Sequence, residues 1–450
     1  MILRQAQDKL ILITDGRLID PGQGLDEIAD LLISDGKVTW VGKGKPPEKA
    51  TKVINARGMI VCPGFIDLHC HLREPGFEVK ETIATGTAAA AKGGFTTVCC
   101  MPNTQPSLDS RAAVEFVLNK AAKEGAVRVL PVGCITRGRQ GQELSEMAEL
   151  ARAGVIGFSD DGRPVENSSL LRHAMEYSLN FGLPIIEHCE DLILTRGGAM
   201  NEGQIALRLG LQGMPAVAED NIVARDIALA ELTGARLHIA HVSTRGSVEL
   251  VRRAKQKGLP ITAEVTPHHL TLTEEQVLGG KGAPSHMAYD TSAKVNPPLR
   301  TRQDIEALLQ GLKDGTIDAI ATDHAPHTRE DKLIEFAAAE FGISGLETAL
   351  GSLMGLVHSG QLDLTMLISK LTVEPARIIG HEEMGSLKPG NEADITIFDP
   401  EAEWVVEPEK FVSKGKNTPL VGAVLKGKVM ATLVSGEFVY SDGLDTITQA

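Results

Sequence analysis

Two histidines, His69 and His71, stand two residues apart just after an apolar run, residues 59–66, that predicts a buried strand. Side chains at this spacing share one face of a strand, so both imidazoles can bind the same divalent metal ion. Arg73 follows on the same parity if the chain stays extended, which would place an anion-binding guanidinium beside the metal. The alternative interpretation is an HxH without function, two polar residues at the end of a strand.

Further aspartates and histidines, both of them zinc-binding types, end four other apolar runs in the middle of the chain. In chain order they are Asp160 or Asp161, His188, His241 and Asp323. Side-chain alternation lets only one of the two adjacent aspartates face the ion, and parity does not choose between them. A mixed His and carboxylate set at five strand ends predicts a site for zinc or a similar ion.

Two other histidine positions are expected outside the ligand set. His238 lies three residues before His241 and therefore has the opposite strand parity, which predicts that it supports the outside of the fold. The pair His268 and His269 follows another apolar run, and we interpret it as structural or as a support for the ligands.

The elements that must position these residues alternate between short apolar runs and longer helical stretches. Eight alternating units predict an α/β fold of the (β/α)8 TIM-barrel type, in which chemistry collects at the carboxyl ends of the strands. A doubly wound open sheet is the structural alternative. The apolar runs are residues 64–68, 96–101, 127–135, 155–159, 184–188, 236–241, 260–265 and 317–322.

Both ends of the chain differ in pattern from the middle. They contain short strand-like runs separated by turn residues such as Asp35-Gly36 and Ser435-Gly436. We therefore expect residues 1–60 and 391–450 to build one small β-sandwich domain together. Residues 61–390 are expected to form the barrel domain.

The composition argues against a nucleic-acid-binding protein, a membrane-spanning protein and a disulfide-bonded secreted protein. The formal net charge of −14 over 450 residues argues against general nucleic-acid affinity, which needs a basic surface. No apolar stretch approaches the roughly 20 residues of a membrane span. The six cysteines form no CxxC pair and most lie in apolar runs, which is typical of buried free thiols in a reducing compartment. We expect a cytoplasmic protein.

Eight motifs, in their order and spacing, resemble the dihydroorotases of the amidohydrolase superfamily, and most closely the bacterial type I enzymes. They are DLHCHLREPG from Asp67, MPNT from Met101, DDG from Asp160, EHCED from Glu187, HVST from His241, EVTPHHL from Glu264, NPPLR from Asn296 and ATDHAPH from Ala321. The resemblance implies one or two zinc ions as cofactor, bound by His69, His71, Asp161, His188, His241 and Asp323. It implies substrate contacts from Arg73, Asn103, Asn296, His327 and the backbone of Phe341 and Gly342.

The reaction that this resemblance implies is the reversible cyclisation of N-carbamoyl-L-aspartate to L-dihydroorotate and water in pyrimidine biosynthesis. A metal-bound hydroxide would attack the ring amide, with Asp323 as the general acid and base. Hydantoinases and allantoinases are similar in outline, but they usually carry a carboxylated lysine on the fourth barrel strand. Residues 155–161 contain no lysine and offer Asp161 instead. A non-catalytic amidohydrolase-fold partner protein is the other alternative, although such proteins normally lose metal ligands.

The resemblance also bears on partners. Besides the small-molecule substrate, type I relatives dimerise or assemble with aspartate carbamoyltransferase, so a homodimer or such a complex is expected. The segment 278–287, rich in Gly and small residues, is a candidate for a mobile loop near the site.

Overall fold

The computed structural model describes residues 10–279, 288–444 and 446–448, so most of the candidate loop 278–287 lies outside the described residues. Within these ranges no helix is long and apolar enough to cross a lipid bilayer. The chain is of mixed α/β type. Its strands are β1 (Ile11–Asp20), β2 (Leu25–Ser34), β3 (Lys37–Gly42), β4 (Lys52–Asn55), β5 (Ile60–Pro63), β6 (Phe65–Cys70), β7 (Phe95–Cys100), β8 (Arg128–Pro131), β9 (Ile185–Glu187), β10 (Met200–Asn201), β11 (Gly213–Met214), β12 (Leu237–Ile239), β13 (Ile261–Val265), β14 (Ala319–Ile320), β15 (Ile395–Val405), β16 (Val424–Val434), β17 (Glu437–Ser441) and β18 (Thr446–Thr448).

Most helices lie in the middle of the chain, between the strands. Several begin at a Ser or Thr whose hydroxyl accepts a hydrogen bond from the backbone N–H three residues on, as at Thr82, Ser110, Thr244 and Thr301. The helices are α1 (Ile83–Lys92), α2 (Arg111–Glu124), α3 (Met147–Ala153), α4 (Ser168–Ser178), α5 (Gln204–Leu209), α6 (Val217–Thr233), α7 (Arg245–Gln256), α8 (Pro267–Thr271), α9 (Glu275–Leu278), α10 (Arg302–Lys313), α11 (Arg329–Lys332), α12 (Ala349–His358), α13 (Leu364–Leu371) and α14 (Val373–Ile379).

Both ends of the chain meet in one sheet, with the strand order β17-β16-β15-β5-β1-β2-β3 and with β4 paired to β1. β5 lies between the two ends, since it pairs parallel with β1 and antiparallel with β15. The sheet therefore includes residues up to Pro63. Its apolar side chains form a separate buried cluster that joins residues such as Ile13, Leu31, Ile395 and Leu433.

The expectation of one strand over residues 59–66 is wrong, because the run divides at Gly64 into β5 and β6. A side chain at Gly64 would place its Cβ 2.1 Å from Oγ1 of Thr96, so glycine is required where the chain leaves the terminal sheet. β6 then pairs with β7 and carries His69 near its end.

Parallel pairings in the middle of the chain connect eight segments and return to the first. β6 pairs with β7 and β7 with β8, and bridges at Phe158 to Gly133 and Ile185 continue the pairing to β9. β9, β12, β13 and β14 pair in that order. A bridge between Cys70 and His324 joins the last segment to β6. The first and last of the predicted ligand-bearing segments are therefore neighbours.

The six cysteines are buried free thiols, as the sequence predicted. Burial raises the pKa of the Cys70, Cys99 and Cys189 thiols well above the ordinary value, so these side chains behave as small apolar groups.

Candidate active site

His69 and His71 lie at the end of β6 with their imidazoles turned toward two aspartates. Nε2 of His71 is 3.0 Å from Oδ1 of Asp323, and Nε2 of His69 is 3.3 Å from Oδ1 of Asp161. All four side chains are buried. The two ring nitrogens and the two carboxylates thus converge on one point, although 252 residues separate His71 from Asp323.

Asp161 also faces the histidines of two other strand ends. Its Oδ1 lies 3.6 Å from Nδ1 of His188 and 3.6 Å from Nε2 of His241. Those two ring nitrogens are themselves 2.9 Å apart. Two overlapping groups have the spacing of a metal centre, with ligand atoms within 4.8 Å of one another: His69, His71 and Asp323, and His69, Asp161 and His241.

Of the two adjacent aspartates, only Asp161 faces this cluster. Asp160 accepts hydrogen bonds from the backbone N–H groups of Ile135 and Thr136 and from the Thr136 hydroxyl. These bonds hold the turn after β8, so Asp160 has a structural task.

The electrostatics of the cluster keep both carboxylates ionised. Burial alone would raise the pKa of Asp161, but the charge of His69 and the nearby imidazoles of His188 and His241 bring it well below its ordinary value. Burial likewise opposes ionisation of Asp323, yet the hydrogen bond with His71 and the charges of nearby histidines lower its pKa. Burial lowers the pKa of His188, but the nearby carboxylates of Asp161 and Glu190 raise it to about 10.

The donor set fits a divalent cation. In the part of the chain that the structure describes, Nε2 of His69 is buried and has no hydrogen-bond partner, although it points at the carboxylates. A buried lone pair of this kind is costly unless an ion or a proton occupies it. Imidazole and carboxylate ligands in one mixed set suit zinc and similar ions.

The ring nitrogens that face away from the proposed metal position contact other side chains. The sequence had not predicted this supporting role for those side chains. Nδ1 of His69 lies 2.9 Å from Oε1 of Glu264, and Nδ1 of His71 lies 2.9 Å from Oδ1 of Asn103. Nε2 of His188 lies 3.1 Å from Oε2 of Glu190. The one available signal was a charged residue, Glu264, inside an apolar strand. Such contacts fix the tautomer and orientation of metal-binding imidazoles.

The expected position of His238 is wrong. Its Nε2 lies 3.1 Å from Oε2 of Glu264, the carboxylate that contacts His69, so His238 supports the site from within. The parity argument failed because β12 ends at Ile239 and His241 has a left-handed backbone, with φ of 34°. Asp323 has a similar conformation, with φ of 45°. Both ligands therefore lie just beyond regular strand geometry.

Arg73 reaches the site by a different route from the one expected. β6 ends at Cys70, and Arg73 has a φ of 61°, so the chain is not extended there. The guanidinium is nevertheless directed to the site, where Nε donates to the carbonyl of Pro326 at 3.3 Å and Nη2 lies 3.2 Å from Nε2 of His327.

A cavity of about 200 Å³ opens beside the cluster. Of the residues predicted for the site, only His69 is missing from its lining, because that side chain is fully buried. The predicted residues that line it are His71, Arg73, Asn103, Asp161, His188, His241, Asn296, Asp323, His327, Phe341 and Gly342.

Gly342 shapes one wall of this cavity. Its φ is 146°, and a Cβ there would lie 2.7 Å from the carbonyl oxygen of Ala325 and 3.0 Å from Cδ2 of His327. The backbone N–H of Gly342 already donates to the carbonyl of Lys294. Glycine is therefore required by close packing at this position.

A residue far along the chain, Asn417, holds this wall together. Its Oδ1 accepts from the backbone N–H of His327 and from the Ser344 hydroxyl, both at 2.9 Å. Its Nδ2 donates to the carbonyls of Ala325 and Gly342, both at 3.0 Å. No sequence pattern indicated this contact, since the residue lies in a loop of the C-terminal region.

The sequence of this chain and its fold were each compared with those of known proteins. The dihydro-orotase-like family model matches residues 58–247, and an amidohydrolase family model matches residues 312–440. A dihydroorotase of Geobacter sp. (strain M21) is 51% identical over 433 residues, covering 96% of this chain and 100% of the relative. A dihydroorotase of Pelotomaculum thermopropionicum is 52% identical over 433 residues, covering 96% of this chain and 99% of the relative.

Among solved structures, the L-hydantoinase (dihydropyrimidinase) from Arthrobacter aurescens superposes with a TM-score of 0.84 at 26% identity, covering 96% of both chains. The D-hydantoinase (dihydropyrimidinase) from Thermus sp. superposes with a TM-score of 0.81 at 25% identity, covering 98% of this chain and 97% of the other. The chain thus shares the amidohydrolase fold with hydantoinases, while its sequence is about twice as similar to the two dihydroorotases.

Proposed function

The chain belongs to the dihydroorotase family, and we infer that it catalyses the reversible cyclisation of N-carbamoyl-L-aspartate to L-dihydroorotate and water in pyrimidine biosynthesis. Its substrate is therefore a small molecule. The observation that carries this function is the cavity lined by the predicted metal ligands on one side and by Arg73, Asn103 and His327 on the other.

For the fold, we propose that the closed circuit of parallel segments is a (β/α)8 barrel covering residues 61–390. The sheet that joins both chain ends then belongs to a small β-sandwich domain, residues 1–60 and 391–450. The circuit supports the barrel over a doubly wound sheet, because an open sheet has two edges and the eight segments here return to β6. Within the family, we propose the bacterial type I subclass.

For the cofactor, we propose one or two zinc ions. Six side chains would hold them: His69, His71, Asp161, His188, His241 and Asp323. The unpartnered Nε2 of His69 and the two overlapping ligand groups support this assignment. When bound, zinc supplies Lewis acidity and lowers the pKa of a water molecule to about 7.

Asp323 is the proposed general acid and base. Its lowered pKa leaves the carboxylate ready to accept the proton of the attacking water during ring opening. The same carboxyl then donates that proton to the ring nitrogen as the amide bond breaks. Its Oδ1 faces Nε2 of His71 at 3.0 Å within the ligand cluster, which leaves the other oxygen for this transfer.

The wall opposite the ligands is the proposed binding site for the substrate's carboxylate. Arg73 offers a planar guanidinium that matches a carboxylate, and His327 lies beside it. Asn103 accepts from His71 through Oδ1, which leaves its amide N–H groups for the substrate. Asn296 donates to Glu190 at 2.8 Å and would read the ring amide with its remaining groups. Phe341 and Gly342 complete the wall through their backbone.

A hydantoinase or allantoinase is the second candidate, since the two solved structures compared above are hydantoinases. The fourth segment lacks the lysine expected of those enzymes and carries Asp161 in the cluster instead. A non-catalytic amidohydrolase-fold protein is disfavoured by the complete ligand set.

The test is hydrolysis of L-dihydroorotate, hydantoin and allantoin by the isolated chain, before and after zinc removal. We expect turnover of dihydroorotate that depends on the metal and little turnover of the other two rings. Faster turnover of hydantoin or allantoin would reassign the substrate. An absence of bound metal after purification and zinc supplementation would favour the non-catalytic alternative.

We further propose that the protein is cytoplasmic and acts as a homodimer or in a complex with aspartate carbamoyltransferase. Light scattering after size-exclusion chromatography, alone and with that enzyme, tests both assemblies.

A further inference from the structure

The loop that carries Arg73 returns to the same wall through a second cation, Lys80. Backbone hydrogen bonds from Phe77 to the Arg73 carbonyl and from Lys80 to the Phe77 carbonyl fold this loop into two successive turns. The ammonium of Lys80 is thereby brought within 3.2 Å of Nδ1 of His327. Its side chain is only 18% exposed and does not line the cavity.

Asp331 holds Lys80 in this place. Its Oδ2 lies 3.1 Å from the Lys80 ammonium and also accepts from the backbone N–H of Thr328, which caps α11. The same oxygen is 3.5 Å from Nδ1 of His327. The imidazole therefore has a cation and an anion near one nitrogen, and which of them it engages depends on where its proton lies.

The contacts with Lys80 and with the Phe341 carbonyl together decide the position of that proton, whereas Arg73, a donor 3.2 Å from Nε2, favours the opposite assignment. An ammonium can only donate, so Nδ1 of His327 must accept, and a neutral ring then carries its proton on Nε2. Burial, with the charges of Arg73, Lys332 and Lys80, lowers the pKa of His327 to about 2, so the ring is neutral at physiological pH. Nε2–H can donate to the Phe341 carbonyl, which is 2.8 Å away.

The other tautomer would change the cavity wall. With the proton on Nδ1, the ring would donate to Asp331 and Nε2 would become an acceptor for Nη2 of Arg73, which is 3.2 Å away. One N–H of Arg73 would then donate to His327 instead of to the substrate, and His327 would direct a lone pair toward the substrate's carboxylate. Both changes weaken binding of an anionic group.

We propose that Lys80 is a positioning residue for substrate binding: it fixes His327 as the Nε2–H tautomer, so that Nε2–H donates to the Phe341 carbonyl and Nη2 of Arg73 stays free to donate to the substrate's carboxylate. This inference rests on the proposed function, which assigns the carboxylate to this wall. It adds a residue outside the cavity to the determinants of specificity for acidic rings.

The first test reads the tautomer without reference to activity. In the full-length protein labelled with [15N]histidine, the two ring nitrogens of His327 have different 15N shifts according to which one is protonated, and the His327→Gln variant identifies the signals. We expect Nε2–H in the natural protein and a substantial Nδ1–H population in Lys80→Met. Identical spectra for the two proteins would overturn the proposal, whatever the enzyme does with dihydroorotate.

The second test separates binding from folding. Lys80→Met should raise KM for L-dihydroorotate about tenfold, as expected for one charge-assisted hydrogen bond, with a much smaller change in kcat. Lys80→Arg keeps a donor-only cation and should restore most of the affinity. The ring without a carboxylate, 5,6-dihydrouracil, should be hydrolysed with an unchanged kcat/KM.

A matched control is Lys120→Met, which removes a lysine that also pairs with this loop, at 3.5 Å from Oε1 of Glu74, but that does not contact His327. It should leave KM unchanged. An equal loss for dihydroorotate and dihydrouracil in Lys80→Met, or a KM like that of the natural protein, would contradict the positioning role. Failure of the natural protein to hydrolyse dihydroorotate would instead refute the proposed function, and the 15N spectra would still decide the role of Lys80.

Discussion

Oε1 of Glu264 lies 2.9 Å from Nδ1 of His69, and both side chains are fully buried. Oε2 of the same carboxylate faces His238. Burial opposes ionisation of Glu264, but the ion pair with His238 and the hydrogen bond with His69 lower its pKa to about 2. An ionised carboxylate on Nδ1 leaves Nε2 of His69 as the lone pair that faces the site.

Glu264→Gln should therefore weaken metal binding while the ligands themselves remain. We expect the zinc dissociation constant to rise by about 10- to 100-fold, the usual effect of losing such a support. Competition with a chelating dye measures it without turnover. Glu187→Gln, on strand β9, which β12 separates from β13, removes another buried carboxylate that accepts from the Val165 backbone and should leave zinc affinity unchanged. Equal affinity in Glu264→Gln and the natural protein would refute the role.

Asp323→Asn should abolish proton transfer at the reacting atoms. We expect kcat for dihydroorotate to fall by about 10²- to 10⁴-fold, with most of the zinc retained by the other ligands. Metal analysis and steady-state kinetics on the same sample check both statements. Asp160→Asn is the control, because that carboxylate holds the turn at Ile135 and Thr136 and should affect stability more than kcat. A near-normal rate in Asp323→Asn would remove Asp323 from the mechanism.

Arg73→Lys keeps a positive charge but loses the planar pair of donors. KM for dihydroorotate should rise clearly, by about 1 kcal/mol or more of binding free energy, because a point charge cannot bind a carboxylate bidentately. Arg139→Lys is the control, because this guanidinium donates to the Asp160 carbonyl at 3.4 Å and does not line the cavity; it should leave KM unchanged. An unaltered KM in Arg73→Lys would place the carboxylate elsewhere.

Asn417→Ala removes four side-chain hydrogen bonds from the buried wall, one each with Ala325, His327, Gly342 and Ser344. We expect the free energy of unfolding to fall by about 2–4 kcal/mol and KM to rise, since buried partners are left unsatisfied. Asn391→Ala is the matched control, because its amide contacts the Glu383 and Ser386 carbonyls away from the cavity. It should cost less stability and leave KM as it was.

The pH dependence of stability should report the neutral state of His327. The pKa of His327 is about 2 in the folded chain and about 6.5 when unfolded, so only the unfolded chain takes up the proton between these values. Stability is therefore unaffected above pH 6.5 and falls as the pH drops below it. Between pH 7 and pH 5 this costs about 2 kcal/mol. His327→Gln should lose about that much less in chemical denaturation; parallel losses in both proteins would contradict the prediction.

Much of the site could be predicted from the residues that end the apolar runs in the sequence. The carboxyl ends of parallel strands lie at the same edge of a sheet, and few residue types bind zinc. His69, His71, Asp161 and Asp323 were found in this way or through the family motifs, and they lie together. What failed was strand parity beyond the last regular residue. His241 and Asp323 have positive φ angles, which no alternation rule accommodates, and the same limit misplaced His238. Arg73 does reach the site, but through a left-handed backbone instead of an extended one.

Supporting residues were harder to predict, for a physical reason. Glu264 and Asn417 act by contact with partners that are 195 and 90 residues away in sequence, and such partners become visible only after the fold closes. A buried charge within an apolar strand was a usable signal for Glu264. For Asn417, an asparagine in a polar loop is ordinary, so composition carried no information.

The bridge between Cys70 and His324 has a consequence for how the protein matures. Until the last parallel segment docks against the first one, His71 and Asp323 cannot bind the same ion. A nascent chain whose last third is not yet synthesised therefore has no complete metal site. Zinc uptake during refolding should consequently report when the segment at His324 docks against β6. It should follow helix formation and not precede it.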